Sequence, residues 1–145
     1  MSRYDPTTNQ MVRTDDPADV QNVRTRFTAA QVEAGATLLP AVPGYAYRLV
    51  DLILIAIGGA VTGATDVRVL GTQAAGSVAL LVAVAAALTQ GAVLRAGATN
   101  ANVLGTGLSF TPCDENTAIT VGKTGGVLAT ATHVDVMATY VLEAA

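Results

Sequence analysis

The residue types able to do chemistry are few in this chain, and each stands in an unpromising setting. His133 is the only histidine, which excludes a two-histidine metal site within one chain. Asp135 follows two residues on and shares its strand face, so the two read as a surface polar pair rather than part of a catalytic dyad. Cys113 is the only cysteine, so neither an internal disulfide nor a thiolate cluster can form. The acidic pair Asp114-Glu115 behind it would raise its thiol pKa and dull it as a nucleophile. Those carboxylates are adjacent and read as a solvated loop, without the spacing of a two-carboxylate active site or a calcium loop. Gly122-Lys123-Thr124 has the ending of a phosphate-binding loop, but Thr117 stands where the first glycine belongs, and Gly125-Gly126 would break the helix that must follow. Gly105-Thr106-Gly107 begins like a dinucleotide fingerprint and then has Phe110 in place of its third glycine. Tryptophan is absent, which removes the usual platform for a sugar ring. We expect no catalytic residue, no metal and no cofactor; the chain does not read as an enzyme.

Charge is distributed unevenly along the 145 residues. The first 26 carry eight charged side chains, and the following 119 carry eleven. A soluble domain usually has about a quarter of its residues charged, because bare surface invites association. So low a density in the body predicts that much of its outside is covered by other protein. Net charge is −3, with a sequence pI near 4.8, against a nucleic-acid-binding surface. Hydrophobic residues reach 51% with a mean hydropathy of +0.46, yet the two most apolar runs, 52–61 and 78–88, are about half the ~20 residues a spanning helix needs. No membrane span is expected. The opening Met-Ser-Arg-Tyr-Asp-Pro has no apolar stretch of the secretory kind, so cytosolic synthesis is expected.

Residues 1–22 hold Pro6, Pro17, four aspartates and two arginines, and no period of 2 or 3.6. They read as an extended N-terminal arm without a core, able to reach roughly 70 Å to a neighbouring subunit. The body, 23–145, reads as strands between Gly, Pro, Asn and Asp clusters. Val23, Thr25, Phe27 and Ala29 alternate with polar neighbours. Residues 38–44 form a loop around Pro40 and Pro43. Residues 45–57 are the clearest strand, apolar on both faces beyond Asp51, which predicts burial in the core on one side and under a partner on the other. Leu52, Ile53, Leu54, Ile55 and Ile57 are therefore the expected oligomer interface, a homodimer being favoured over a homotrimer. Gly58-Gly59 and Gly63 end that strand. Short strands follow over 65–70, 78–88, 92–95, 117–124 and 133–143, with turns at Gly71, Gly76 and Gly125-Gly126. No helix is expected. Seven or eight short strands at this spacing predict an all-β fold, a jelly roll or a related β-sandwich. Arg48 and Asp51 either sit at a sheet rim or pair across strands or subunits. Arg24 and Arg26 share one face beside the arm, where they either hold a neighbour's carboxylates or form a solvated face.

Several blocks give the body a resemblance to a known family. They are Leu38-Leu-Pro-Ala-Val-Pro-Gly-Tyr45, Tyr47-Arg-Leu-Val-Asp51, Leu88-Thr-Gln-Gly-Ala-Val-Leu-Arg-Ala-Gly-Ala-Thr99, Lys123-Thr-Gly-Gly126 and Ala129-Thr-Ala-Thr-His-Val-Asp-Val136. Together they span roughly 29–143 and resemble the small capsid cement, or decoration, proteins of tailed, short-tailed bacteriophages. That resemblance implies a jelly roll or sandwich on the outer capsid surface of the virion, bridging major capsid protein subunits against the pressure of packaged DNA. No active-site residues come with it. Capsid contacts would then fall on the arm and the strand beside it, at Arg3, Tyr4, Arg13, Arg24 and Arg26. Another virion part, such as a head fibre, spike anchor, tail-tube or head-completion subunit, is the alternative.

Overall fold

The structure is a computed structural model that describes residues 20–145 throughout and, ahead of them, the backbone of two strands, β1 (Ser2–Asp5) and β2 (Gln10–Arg13). These two pair antiparallel, Ser2 opposite Arg13 and Asp5 opposite Gln10, where the sequence shows no period. The side chains of Arg3, Tyr4 and Arg13 lie outside the described residues.

From residue 20 onward the chain is the all-β sandwich expected from its alternation, built from nine strands in two antiparallel sheets. One sheet runs β4 (Ala36–Leu39), β10 (Ile119–Thr130), β6 (Val61–Gln73), β7 (Gly76–Val84), β9 (Ala101–Val103). The other runs β3 (Val20–Thr28), β11 (His133–Ala144), β5 (Tyr45–Ile57), β8 (Val93–Arg95). Between them lies one core, in which Leu49, Leu52, Leu54, Leu80, Leu81, Leu88 and Ile119 are fully buried. The Tyr47 and Tyr140 rings meet edge to face at 5.5 Å, and the Tyr47 hydroxyl donates to the Pro40 carbonyl at 2.5 Å, so the polar end of a buried ring has its partner.

Several boundaries differ from the sequence expectation, each for a local reason. The first body strand begins at Val20 rather than Val23, because Val20, Gln21 and Asn22 pair with Val141, Tyr140 and Thr139. It ends at Thr28, where a short helix, α1 (Ala29–Ala34), takes over from the expected strand position of Ala29. Thr28 Oγ1 accepts from the Gln31 amide and Gln31 Oε1 accepts from the Thr28 amide, a complete capping box that the Thr-x-x-Gln spacing encodes. Leu38 and Leu39 are strand residues, not loop. Gly63, Gly71, Gly125 and Gly126 lie inside strands instead of ending them. At Gly71 an added Cβ would stand 2.7 Å from Leu80 Cδ1 and 3.0 Å from Cys113 Sγ, so this glycine admits the facing layer. Gly125 carries φ +83° at a register shift between β10 and β6, a bulge that a turn expectation mistakes for a chain reversal.

The β6–β7 reversal falls instead on Ala74-Ala75, with φ of 50° and 62°, the left-handed pair of a two-residue hairpin built without glycine or asparagine. Asp114 offsets that strain: its carboxylate accepts from the Ala74 amide at 3.1 Å and the Ala75 amide at 2.7 Å. Asp114→Ala is expected to lower stability by about 1–2 kcal/mol, and Ala75→Gly to raise it by about 0.5–1 kcal/mol. Urea midpoints of the two variants check this; equal midpoints would show the carboxylate contributes nothing to the turn.

Candidate functional site

The strand β5 carries the decisive geometry. Opposite Thr139 and Tyr140 its register shifts, Asp51 facing Thr139 and Leu49 facing Tyr140, so Val50 is the extra residue of a bulge and stands 49% exposed. The bulge exchanges the two faces. Before it Tyr47 and Leu49 point into the core; after it Leu52, Leu54 and Ala56 do. Leu52 and Leu54, expected at an oligomer interface, are therefore 0% exposed inside the sandwich and cannot meet a partner. Ile53, Ile55 and Ile57 point the other way. They lie half-buried on the outer face of the four-stranded sheet.

Register places their neighbours. Ile53 is paired with Met137 and Arg95, Ile55 with Asp135 and Val93, and Ile57 with His133. Met137 is half-buried and Val93 is 59% exposed. The outer face thus has an isoleucine-methionine-valine centre. An open groove of about 320 Å³ crosses it, lined by Asn22, Arg24, Ile53, Met137 and Thr139.

Charged side chains border this face, and each is engaged within the chain. Asp135 is 1% exposed and accepts from both Arg24 (Nη2, 2.6 Å) and Arg26 (Nε, 2.7 Å) on the adjacent strand. The hydrogen bond from Arg26, with that from Arg24, holds the Asp135 carboxyl below the usual carboxylate range against the opposing effect of burial. The expected His133–Asp135 surface pair does not form: the arginines take the carboxylate, and His133 Nδ1 meets Thr132 Oγ1 at 2.9 Å. Arg24 and Arg26, expected on a capsid contact, hold their own chain's carboxylate while remaining 56% and 53% exposed. Arg48 pairs with Glu143 at 2.6 Å and Arg95 with Asp51 at 2.7 Å, so the cross-strand reading of Arg48 and Asp51 describes them.

The remaining charges follow suit. Arg68 binds Asp66 on the same face of β6 at 2.8 Å, and Lys123 binds Glu33 at 3.2 Å. Lys123 Nζ also donates to the Gly125 and Gly126 carbonyls, which fixes it as a bulge staple rather than a phosphate ligand. Glu33 additionally accepts from the Leu128 amide, the main reason its carboxyl sits below its ordinary value. Glu115 accepts from the Gly44 amide at 2.9 Å, so with the Asp114 turn the acidic pair ties loops together instead of forming a solvated loop. All thirteen charged side chains of residues 20–145 are engaged by the chain itself.

The other chemical candidates are structural. Cys113 is buried, and burial more than the neighbouring Asp114 pushes its thiol up. Ser109, fully buried, donates to the Leu80 carbonyl at 2.6 Å and accepts from the Leu104 amide. Among the described residues no three His, Cys, Asp or Glu gather where a metal ion could sit, and no helix is long and apolar enough to cross a membrane. Sequence reasoning missed the triad because Asp135 lies 109 and 111 positions from Arg26 and Arg24. Only pairing of the first and last body strands joins them. No family model, no curated protein and no solved structure matches this chain.

Proposed function

We propose that the protein is a non-enzymatic capsid cement: a homo-oligomeric decoration of the outer surface of a tailed-phage head that bridges major capsid protein subunits. The observation that carries this reading is the outer face of the four-stranded sheet, where Ile53, Ile55, Ile57, Met137 and Val93 present apolar area beside charged side chains that are each engaged within the chain. Apolar area adheres without Coulombic attraction, so salt does not loosen it. The resemblance of residues 29–143 supports it, as does the engagement of every Lys, Arg, Asp and Glu of residues 20–145 within the chain's own fold. Adhesion by many copies, each spanning two shell subunits, raises the barrier to rupture additively.

Particles assembled without the protein are expected to form yet release their DNA at a lower temperature than decorated ones. The measurement is fluorescence of a DNA-binding dye during a thermal ramp. Equal release temperatures would remove the support for a cement and leave the other virion-part reading in its place.

A further inference from the structure

Among the nine body strands, four lie at sheet edges. β4 has four residues, β8 three and β9 three, lengths that themselves discourage pairing with another chain. β3 has nine, runs without a register shift against β11, and contains neither proline nor lysine. The Ala29 amide donates to the Thr132 carbonyl, one step beyond the Thr28–His133 pair. The alternation of an antiparallel ladder then turns the N–H and C=O groups of Gln21, Val23, Thr25 and Phe27 toward β11, and those of Val20, Asn22, Arg24 and Arg26 outward. Thr28, the last of the outward set, has its amide capped by Gln31. A row of strand donors and acceptors therefore faces away from the sandwich along β3.

The same row carries the body's one cationic surplus. Every other cation is matched one to one: Arg48 with Glu143, Arg68 with Asp66, Arg95 with Asp51 and Lys123 with Glu33. Arg24 and Arg26 share the single carboxylate of Asp135, leaving one positive charge over, on guanidinia more than half exposed. We infer that the β3 edge takes an added strand from a different protein, an extended segment with carboxylates at alternate positions facing Arg24 and Arg26. Alternation is required because both arginines point to one face of β3 and directly opposed residues share that face. A second copy of β3 is disfavoured, since the strand contains no Asp or Glu to set opposite Arg24 and Arg26 in any register. This deepens the cement reading: it gives the chemistry of the shell segment that is gripped.

The test uses the full chain and a nine-residue capped peptide alternating Asp with Val, with a Lys-for-Asp peptide as control. Hydrogen exchange with NMR detection reads the individual amides. At about 1 mM the acidic peptide is expected to slow exchange at Asn22, Arg24 and Arg26 and the lysine peptide to leave it unchanged. Two variants spare the triad and the β11 ladder. Asn22→Asp neutralises the surplus and should weaken binding about two- to fivefold. Asn22→Pro removes an outward donor and should weaken it about tenfold or more. No slowing with the acidic peptide, equal slowing with the lysine peptide, or binding unchanged in both variants overturns the proposal. So does protection of the same amides without peptide, accompanied by a doubled mass, because the occupant is then a second copy. Peptide capture without any effect on DNA release temperature would sink the cement reading alone; a release effect without peptide capture would sink this one alone.

Discussion

Leu54→Ala is expected to cost about 2–5 kcal/mol of folding stability, while Ile55→Thr, one residue along the same strand, changes folding by less than about 1 kcal/mol and instead weakens self-association. The contrast follows from the Val50 bulge, which puts Leu54 at 0% exposure in the core and Ile55 on the outer face. Threonine keeps the β-branch that suits a strand and avoids setting a second carboxylate opposite Asp135. Urea unfolding reads the first effect, and light scattering at micromolar concentration reads the second. A stable dimer needs an interface of at least about 1,000 Å². Wild-type protein at only 14.6 kDa would remove self-association from the reading. An Ile55→Thr mass equal to wild type would move the interface off this face. Leu54→Ala at wild-type stability would contradict the bulge itself.

That bulge also marks where the sequence stops being legible. Alternation alone identifies β5 and β11 nearly to their ends, because half-buried strands impose period 2 on side-chain polarity. It cannot see that one inserted residue shifts the period: plain alternation sets Leu49 and Ile53 on one face, whereas the bulge turns Leu49 and Leu52 inward and Ile53 outward. Glycine misleads for a related physical reason. A glycine marks a place where φ is positive or another layer comes close, and at Gly71 and Gly125 both needs arise inside a strand. The true reversal at Ala74-Ala75 carries no turn residue, since Asp114 supplies from forty positions away what Asn-Gly would supply locally. The Thr28-Ala-Ala-Gln31 box was available to sequence reading as a helix start. As for the site, the sparse charge of the body is visible from composition, but which charges meet is not. Arg24, Arg26 and Asp135 become neighbours only when β3 docks on β11, a contact with no local signature.

The Asp135 triad gives the other large effect, and its sign is fixed by the direction of the pKa shift. Asp135→Asn keeps the shape of the buried side chain but leaves two guanidinia facing each other without a counter-charge. The expected loss at pH 7 is about 2 kcal/mol, below the ~3–5 typical of a fully buried pair, because both arginines are more than half exposed and can rehydrate. Since Asp135 is held below its unfolded value, its contribution is fully present above the ordinary carboxylate range, near 4, and fades as pH falls through the lower folded value. The gap between wild type and Asp135→Asn should therefore be constant from pH 7 to 5 and narrow progressively below 4. Glu33 titrates in the same direction in both proteins and cancels from the difference. Urea midpoints of the pair at pH 7 and pH 3 measure this; a gap that holds or widens in acid would rule out the charged triad. The same substitution raises the surplus on the β3 edge from one positive charge to two. Stability should then fall while affinity for the alternating-aspartate peptide rises, and only an edge whose arginines are shared between the fold and a partner moves the two in opposite directions.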